Sequence, residues 1–172
     1  MYFRHYQIMS TLLLSPSQVN QKLQRIALEI KEKTFGHKKI ILVGIAESGL
    51  QLAHIIAKIL HQNGSEVEIF PIKVNKPNPI VEPVVCAIAD DKLLNSTVIL
   101  VDDVQNSGRT MIYAVQHFLK FPVYAIQTCV LVDRLHNLFP VRADYVGLSL
   151  STTLKEHVTV TVQDTIVSVI LS

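Results

Sequence analysis

The stretch VILVDDVQNSGRT, residues 98–110, sets two adjacent carboxylates, Asp102 and Asp103, before a turn made of Asn106, Ser107, Gly108, Arg109 and Thr110. Carboxylates only accept hydrogen bonds, so a side-by-side pair suits either a vicinal diol or a divalent cation held through water. The turn asks for something else. It runs into Met111, Ala114, Val115, Phe118 and Leu119, an apolar stripe of helical spacing, so the unpaired N–H groups of a helix start face into it. Those donors and the helix dipole favour an anion, the dipole by about 0.3–1 kcal/mol and by up to ~2 kcal/mol when partly buried. Gly108 lets a ligand come close to the backbone, and Ser107 and Thr110 add hydroxyl donors. A phosphate fits this turn. It does not fit the acids, which would repel it, so they need the diol or the cation. A diol beside a phosphate describes a ribose 5-phosphate.

Other phosphate-binding patterns fail. GIAESGLQ has the two-glycine spacing of a P-loop, but Leu50-Gln51 stands where Lys-Ser/Thr is required. No G-x-G-x-x-G follows an expected strand. A receiver domain carries its paired acids after the first strand, whereas these follow two strands and two helices.

The elements that must position the motif are legible in the pattern. Ser15, Pro16 and Gln18 give a capping box with proline at the first helical position, and Val19, Leu23, Ile26, Ala27 and Ile30 form the stripe behind it. KIILVGIA is a continuous apolar run of strand length, expected to be buried on both faces. Gly44 and Gly49 bracket a turn, and Leu50, Ala53, Ile56, Ala57 and Leu60 mark a second helix ending near Asn63-Gly64. A strand is expected over 66–74. Pro77, Pro79 and Pro83 exclude a helix and leave a loop or a loosely paired ribbon. The motif strand then ends at the acids, and 123–133 forms a strand ending at Asp133. The last third (ADYVGLSL, HVTVTV, TIVSVIL) is β-like. This alternation predicts an α/β fold, a central parallel sheet flanked by helices on both faces, in which ligands bind beyond the carboxyl ends of the strands.

A chain of 172 residues, 49% hydrophobic and 17% charged, is expected to form one domain, 1–172, around a single core. Its apolar runs fall far short of the ~18 residues that a bilayer span needs, so no membrane partner is expected. Cys86 and Cys129 lack metal-ligand spacing and suit a reducing, cytoplasmic location. His54 and His61 read as helix-surface residues. A formal charge of +2 does not by itself argue for nucleic acid.

VILVDDVQNSGRT resembles the phosphoribosyl-diphosphate (PRPP) signature of the type I phosphoribosyltransferases. LQRIALEIKEK, ILVGIAESGLQLA, LVDRLHNLFPVRADYVGLSL and STTLKEHV further resemble the bacterial pyrimidine-operon attenuation regulators that are also uracil phosphoribosyltransferases. The resemblance implies the type I fold with a small C-terminal β-rich hood. It also implies a reaction, in which uracil N1 displaces pyrophosphate from C1′ of PRPP with Mg²⁺ to give UMP. The transition state has oxocarbenium character, so positioning and charge stabilisation dominate. By position, Asp102 and Asp103 match the acids that bind the ribose hydroxyls and, through water, Mg²⁺. Asn106, Ser107, Gly108, Arg109 and Thr110 match the 5′-phosphate loop. Ala46, Glu47, Ser48 and Gly49 match the pyrophosphate loop, which often has an unusual backbone conformation. Val132, Asp133 and Arg134 match the hood over the base. A homo-oligomer is expected, and RNA is a further partner.

The chain departs from the pattern in three places. The pyrophosphate loop has Ala46, Glu47 and Ser48 where basic and hydroxyl groups are usual. The flexible loop keeps only Lys73 and Lys76 as cations. Leu28 and Asn137 stand where a histidine and an arginine of the RNA surface are often found, so weak RNA binding is expected. Losing one preorganised charge-stabilising group costs roughly 3–4 kcal/mol, so binding should outlast catalysis. Purine-salvage relatives use an aspartate at the position of Asn106, so the base expected is a pyrimidine.

Overall fold

The computed structural model describes residues 10–37, 39–75, 84–151, 153, 156–163 and 166–172. After a short strand β1 (Thr11–Leu14), helix α1 (Pro16–Lys33) opens on the expected box. Ser15 Oγ accepts from the Gln18 N–H at 3.4 Å, and Gln18 Oε1 accepts from the Ser15 N–H at 2.9 Å. Its expected stripe is fully buried. Strand β2 (Ile40–Ile45), helix α2 (Ala46–Gln62) and strand β3 (Glu68–Lys73) follow, then β4 (Val85–Cys86) and a one-turn helix α3 (Asp90–Leu93). Strand β5 (Thr97–Gln105) carries the motif into helix α4 (Arg109–Phe118). The chain ends in β6 (Ala125–Asp133), β7 (Tyr145–Ser149), β8 (Val158–Gln163) and β9 (Ile166–Leu171).

The main sheet has the order β4-β3-β2-β5-β6-β7. Neighbours from β3 to β7 pair in parallel, and β4 adds antiparallel through Ile72↔Cys86 and Lys73↔Val85. The central strands are buried on both faces, as continuous apolar runs require. Leu42, Ile99 and Leu131 pack with α1 and α2, while Ile41, Val43, Leu100 and Val130 pack with α4. Both cores are contiguous along the sheet, so the strand ends that carry the site rest on a rigid platform.

The structure corrects several expectations. The hood is a separate three-stranded antiparallel sheet, β1-β9-β8, so a segment from the beginning of the chain completes it. Leu14, Val167 and Val169 bury it against the α1–α2 side. Helix α2 starts one residue after β2 rather than after a turn, and Gly49 and Leu52 take the buried place given to Leu50. Helix α4 begins at Arg109, and Leu119 is 70% exposed rather than part of the stripe. The β6-to-β7 crossover, residues 134–144, contains no helix. Of the proline-rich segment, residues 76–83 lie outside those described, as does Lys76.

Candidate functional site

Two glycines bring the site together. A Cβ on Gly44 would lie 2.3 Å from Leu50 Cα, and one on Gly49 would lie 2.5 Å from the Val101 carbonyl oxygen. Their absence lets the first turn of α2 press onto the ends of β2 and β5. The acids lie within β5 rather than at its end, because β5 runs on to Gln105 beside β6. The pairing of β2 with β5 stops at Gly44↔Val101. Asp102 and Asp103 therefore begin where β5 outruns its neighbour, which is a carboxyl-terminal edge on that side only.

Asp102 is 3% exposed, and its Oδ1 accepts from the Asp103 N–H at 3.0 Å. Asp103 is half-buried; Oδ1 accepts from the Val104 N–H at 2.7 Å and Oδ2 from Ser48 Oγ at 2.8 Å. The Ser48 bond joins the two loops that sequence could assign only separately. All side-chain donors at this point are oxygens on adjacent carboxylates, and such hard ligands fit a water-shelled Mg²⁺. Among the described residues no group of three or more metal-ligating side chains stands together. The fit is therefore to an ion that keeps most of its waters or takes oxygens from a ligand.

Asp102, Gln105, Asn106, Ser107, Gly108, Arg109, Thr110 and Met111 line a cavity of about 230 Å³. Gly108 caps α4 with φ 79°, and its missing side chain leaves room for Val141 Cγ1, 2.8 Å from where a Cβ would be. The Ser107 carbonyl accepts from the N–H groups of Leu138 and Phe139, at 2.9 and 3.1 Å, and so ties the turn to the crossover. Ser107 Oγ takes the Arg109 N–H at 3.3 Å. Among the described residues no acceptor meets the N–H groups of Gly108, Thr110 or Met111. Three open donors at a helix start in a concave wall form an anion site. Larger concavities, of about 600 and 410 Å³, lie at the opposite edge of the sheet beside Lys39, His61 and Tyr124. Ligands of parallel α/β sheets bind at the carboxyl edge, so position outweighs size here.

Ala46, Glu47, Ser48 and Gly49 form the first turn of α2. Ala46 has φ 56°, a left-handed conformation that costs an L-residue about 1–2 kcal/mol. Ala46 and Glu47 are exposed. Glu47 accepts from Gln51 Nε2 at 3.2 Å, so its carboxylate is held along the helix.

Val132, Asp133 and Arg134 stand at the carboxyl end of β6. They belong to the main sheet rather than to the β1-β9-β8 sheet. The Val132 side chain is fully buried in the core. Asp133 is buried too and takes the Leu135 N–H at 2.9 Å, closing a turn in which Leu135 has φ 58°. Arg134 is buried with its guanidinium turned toward Asn106. One residue was missed altogether. Gln105, 3% exposed, donates to Asn137 Oδ1 at 3.0 Å and to the Val141 carbonyl at 3.3 Å, pinning the crossover against the motif strand. Its only sequence signal is an amide in an otherwise apolar strand position.

Comparison with known proteins agrees with this geometry. The family model "Phosphoribosyl transferase domain" matches residues 13–165. A "Bifunctional protein PyrR" from Corynebacterium efficiens is 38% identical over 167 residues, covering 88% of this chain and 85% of the relative. One of the same name from Clostridium novyi is 36% identical, covering 90% and 91%. Among solved structures, a hypoxanthine-guanine phosphoribosyltransferase from Bacillus anthracis superposes with a TM-score of 0.75 at 19% identity, covering 94% of this chain and 97% of that one. The hypoxanthine phosphoribosyltransferase of Trypanosoma cruzi gives 0.71 at 16% identity, with 81% of each chain covered. These structural matches speak for the fold alone. With a matching family model over residues 13–165 and relatives 36–38% identical over most of its length, the chain belongs to the phosphoribosyl transferase family and has its type I fold.

Proposed function

We propose that the protein transfers ribose 5-phosphate from PRPP to uracil or a similar pyrimidine, releasing pyrophosphate, and that it does so slowly. The observation that carries this reading is the cavity in which Asp102 adjoins the open N–H groups of Gly108, Thr110 and Met111. In this reading the turn holds the 5′-phosphate through those donors and the Thr110 hydroxyl. Asp102 and Asp103 accept from the ribose hydroxyls and fix the ring. Ser48 keeps Asp103 aimed by donating to the oxygen that Val104 leaves free. The same acids would hold Mg²⁺ through water, and when bound the ion supplies charge to balance the departing pyrophosphate. Opposite them, the chain offers the α2 start and the Ala46 backbone but no cationic side chain in residues 46–49. Charge on pyrophosphate is then poorly matched, which lowers the rate more than it lowers UMP affinity.

A pyrimidine is favoured because residue 106 is an amide, which can donate a hydrogen bond but, unlike a carboxylic acid, cannot transfer a proton to a purine ring; its oxygen accepts from Arg134 Nη1 at 2.8 Å. One domain, a cytoplasmic location and a homo-oligomer belong to the same reading. The test is formation of UMP from labelled uracil, PRPP and Mg²⁺. Slow but measurable product supports it, and none over hours at high enzyme concentration counts against it.

A second reading is favoured by relatives that are named bifunctional. In it the pocket senses a nucleotide and the protein regulates by binding RNA. Leu28 is 51% exposed and Asn137 is bonded to Gln105, where the resemblance has RNA-facing cations. Weak, steeply salt-dependent RNA binding is the expectation, and nanomolar hairpin affinity at physiological salt would overturn it.

A further inference from the structure

Arg134, 7% exposed, divides its guanidinium between two segments distant in sequence. Nη1 donates to Asn106 Oδ1 at 2.8 Å. Nη2 donates to the carbonyl oxygens of Thr153 and Glu156, at 2.9 and 2.7 Å. Asn106 opens the phosphate turn. Thr153 and Glu156 precede β8 and are tied to each other by the Thr153 N–H donating to Glu156 Oε2 at 2.6 Å. The backbone bond from the Thr153 N–H, helped by the Arg134 charge, holds the Glu156 carboxyl below its ordinary value. The Arg134 backbone is fixed as well, since its N–H donates to the Gln105 carbonyl at 3.0 Å.

Burying a guanidinium is costly unless its donors are met, so the acceptors on both sides are held at a set separation. The planar fork can serve both sides at once, which the compact ammonium of a lysine cannot match in geometry. The bridge runs from β6 to the phosphate turn on one side and to the hood on the other.

We propose that Arg134 is a positioning residue that anchors the phosphate turn, through Asn106, to the entrance of the hood, so that filling the phosphate site steadies the hood. This rests on reading residues 106–110 as the 5′-phosphate site. It gives Arg134 a task away from the base. Thr153 and Glu156 stand just before β8, so a ligand that fixes Asn106 also steadies, through Arg134, the approach to β8.

The test is hydrogen exchange on the full chain, with and without saturating UMP, for the wild type, Arg134→Met and Arg134→Lys. In the wild type UMP should slow exchange in 106–111 and also in 156–163. In Arg134→Met it should slow 106–111 only, with UMP bound about tenfold more weakly, the scale of a lost charged hydrogen bond. Arg134→Lys should recover thermal stability without recovering the response of the hood. Equal protection of 156–163 by UMP in wild type and Arg134→Met would overturn the proposal. Without ligand, Arg134→Met should speed exchange in 106–111, and an unchanged turn would overturn it too. If UMP fails to bind the wild type, the phosphate reading falls, and this ligand-free comparison still decides the bridge. Should Arg134→Met not fold, Asn106→Ala cuts the same link from the other end and should likewise silence the hood.

Discussion

The two halves of the site begin alike and end differently. In each, a parallel strand runs into a helix start through a non-standard backbone: Ala46 at φ 56° before the body of α2, and Gly108 at φ 79° before α4. In the ribose-phosphate half the strand-to-helix passage is long, residues 106–108, and leaves N–H groups facing a cavity. In the pyrophosphate half the helix follows the strand directly, and Glu47 lies along it bonded to Gln51. The first half offers open N–H groups and hydroxyls, whereas the second offers the Ser48 hydroxyl and backbone but no cationic side chain in residues 46–49. On the proposed reading, recognition of a mononucleotide and stabilisation of a leaving group are separable, and this chain is better furnished for the first.

Substitutions at Gly49 and Gly108, one in each half, should have the largest effect and should differ between halves. Gly49→Ala drives a methyl to 2.5 Å from a backbone oxygen that cannot yield, so a loss of about 3 kcal/mol or more is expected. Gly108→Ala meets only the Val141 methyl but adds left-handed strain, together about 2–4 kcal/mol. Denaturant midpoints measure both, and Gly49→Ala at wild-type stability would show that α2 does not rest on β5 as described. Next in size, Asp103→Asn should weaken UMP and PRPP alike by about 1.5–3 kcal/mol, since a charged acceptor for the ribose is lost. Calorimetry showing unchanged affinities with the fold intact would remove the acids from the site. The smallest change sharpens the contrast from the weak side. Glu47→Lys should raise kcat/KM for PRPP several-fold and leave UMP affinity alone, at a stability cost of about 0.3–1 kcal/mol from a cation at a helix start. A parallel rise in UMP affinity would mean that the halves are not separable.

Much of this was legible in the chain because it rests on local rules. The capping box at Ser15 and the stripe from Val19 to Ile30 depend on residues within a few positions of one another, and both form as expected. The Asp-Asp pair and the Ser-Gly turn were readable as chemistry for the same reason. What escaped depends on contacts between distant segments. Nothing near Thr11 says that it will pair with Leu171 and complete the hood. The acids were placed at a strand end because the apolar run stops there, yet pairing with β6 carries the strand to Gln105. Arg134 was given to the base by position in a motif, while the acceptors that take its guanidinium lie 28 and 19–22 residues away. Val115 and Leu119 follow the helical period, but α4 begins early enough that Leu119 falls beyond its end, in solvent.

The central claim is that the ribose-phosphate half works without much help from the pyrophosphate half. Titrating the wild type with UMP and, separately, with PRPP, each in Mg²⁺ and at fixed salt, tests it most directly. UMP needs only Asp102 to Thr110, whereas PRPP in its reactive geometry needs both halves, so UMP should be bound the more tightly and 1:1. Tighter binding of PRPP than of UMP, together with rapid turnover of uracil, would contradict the account and give the α2 start and the metal the role assigned to the missing side chains.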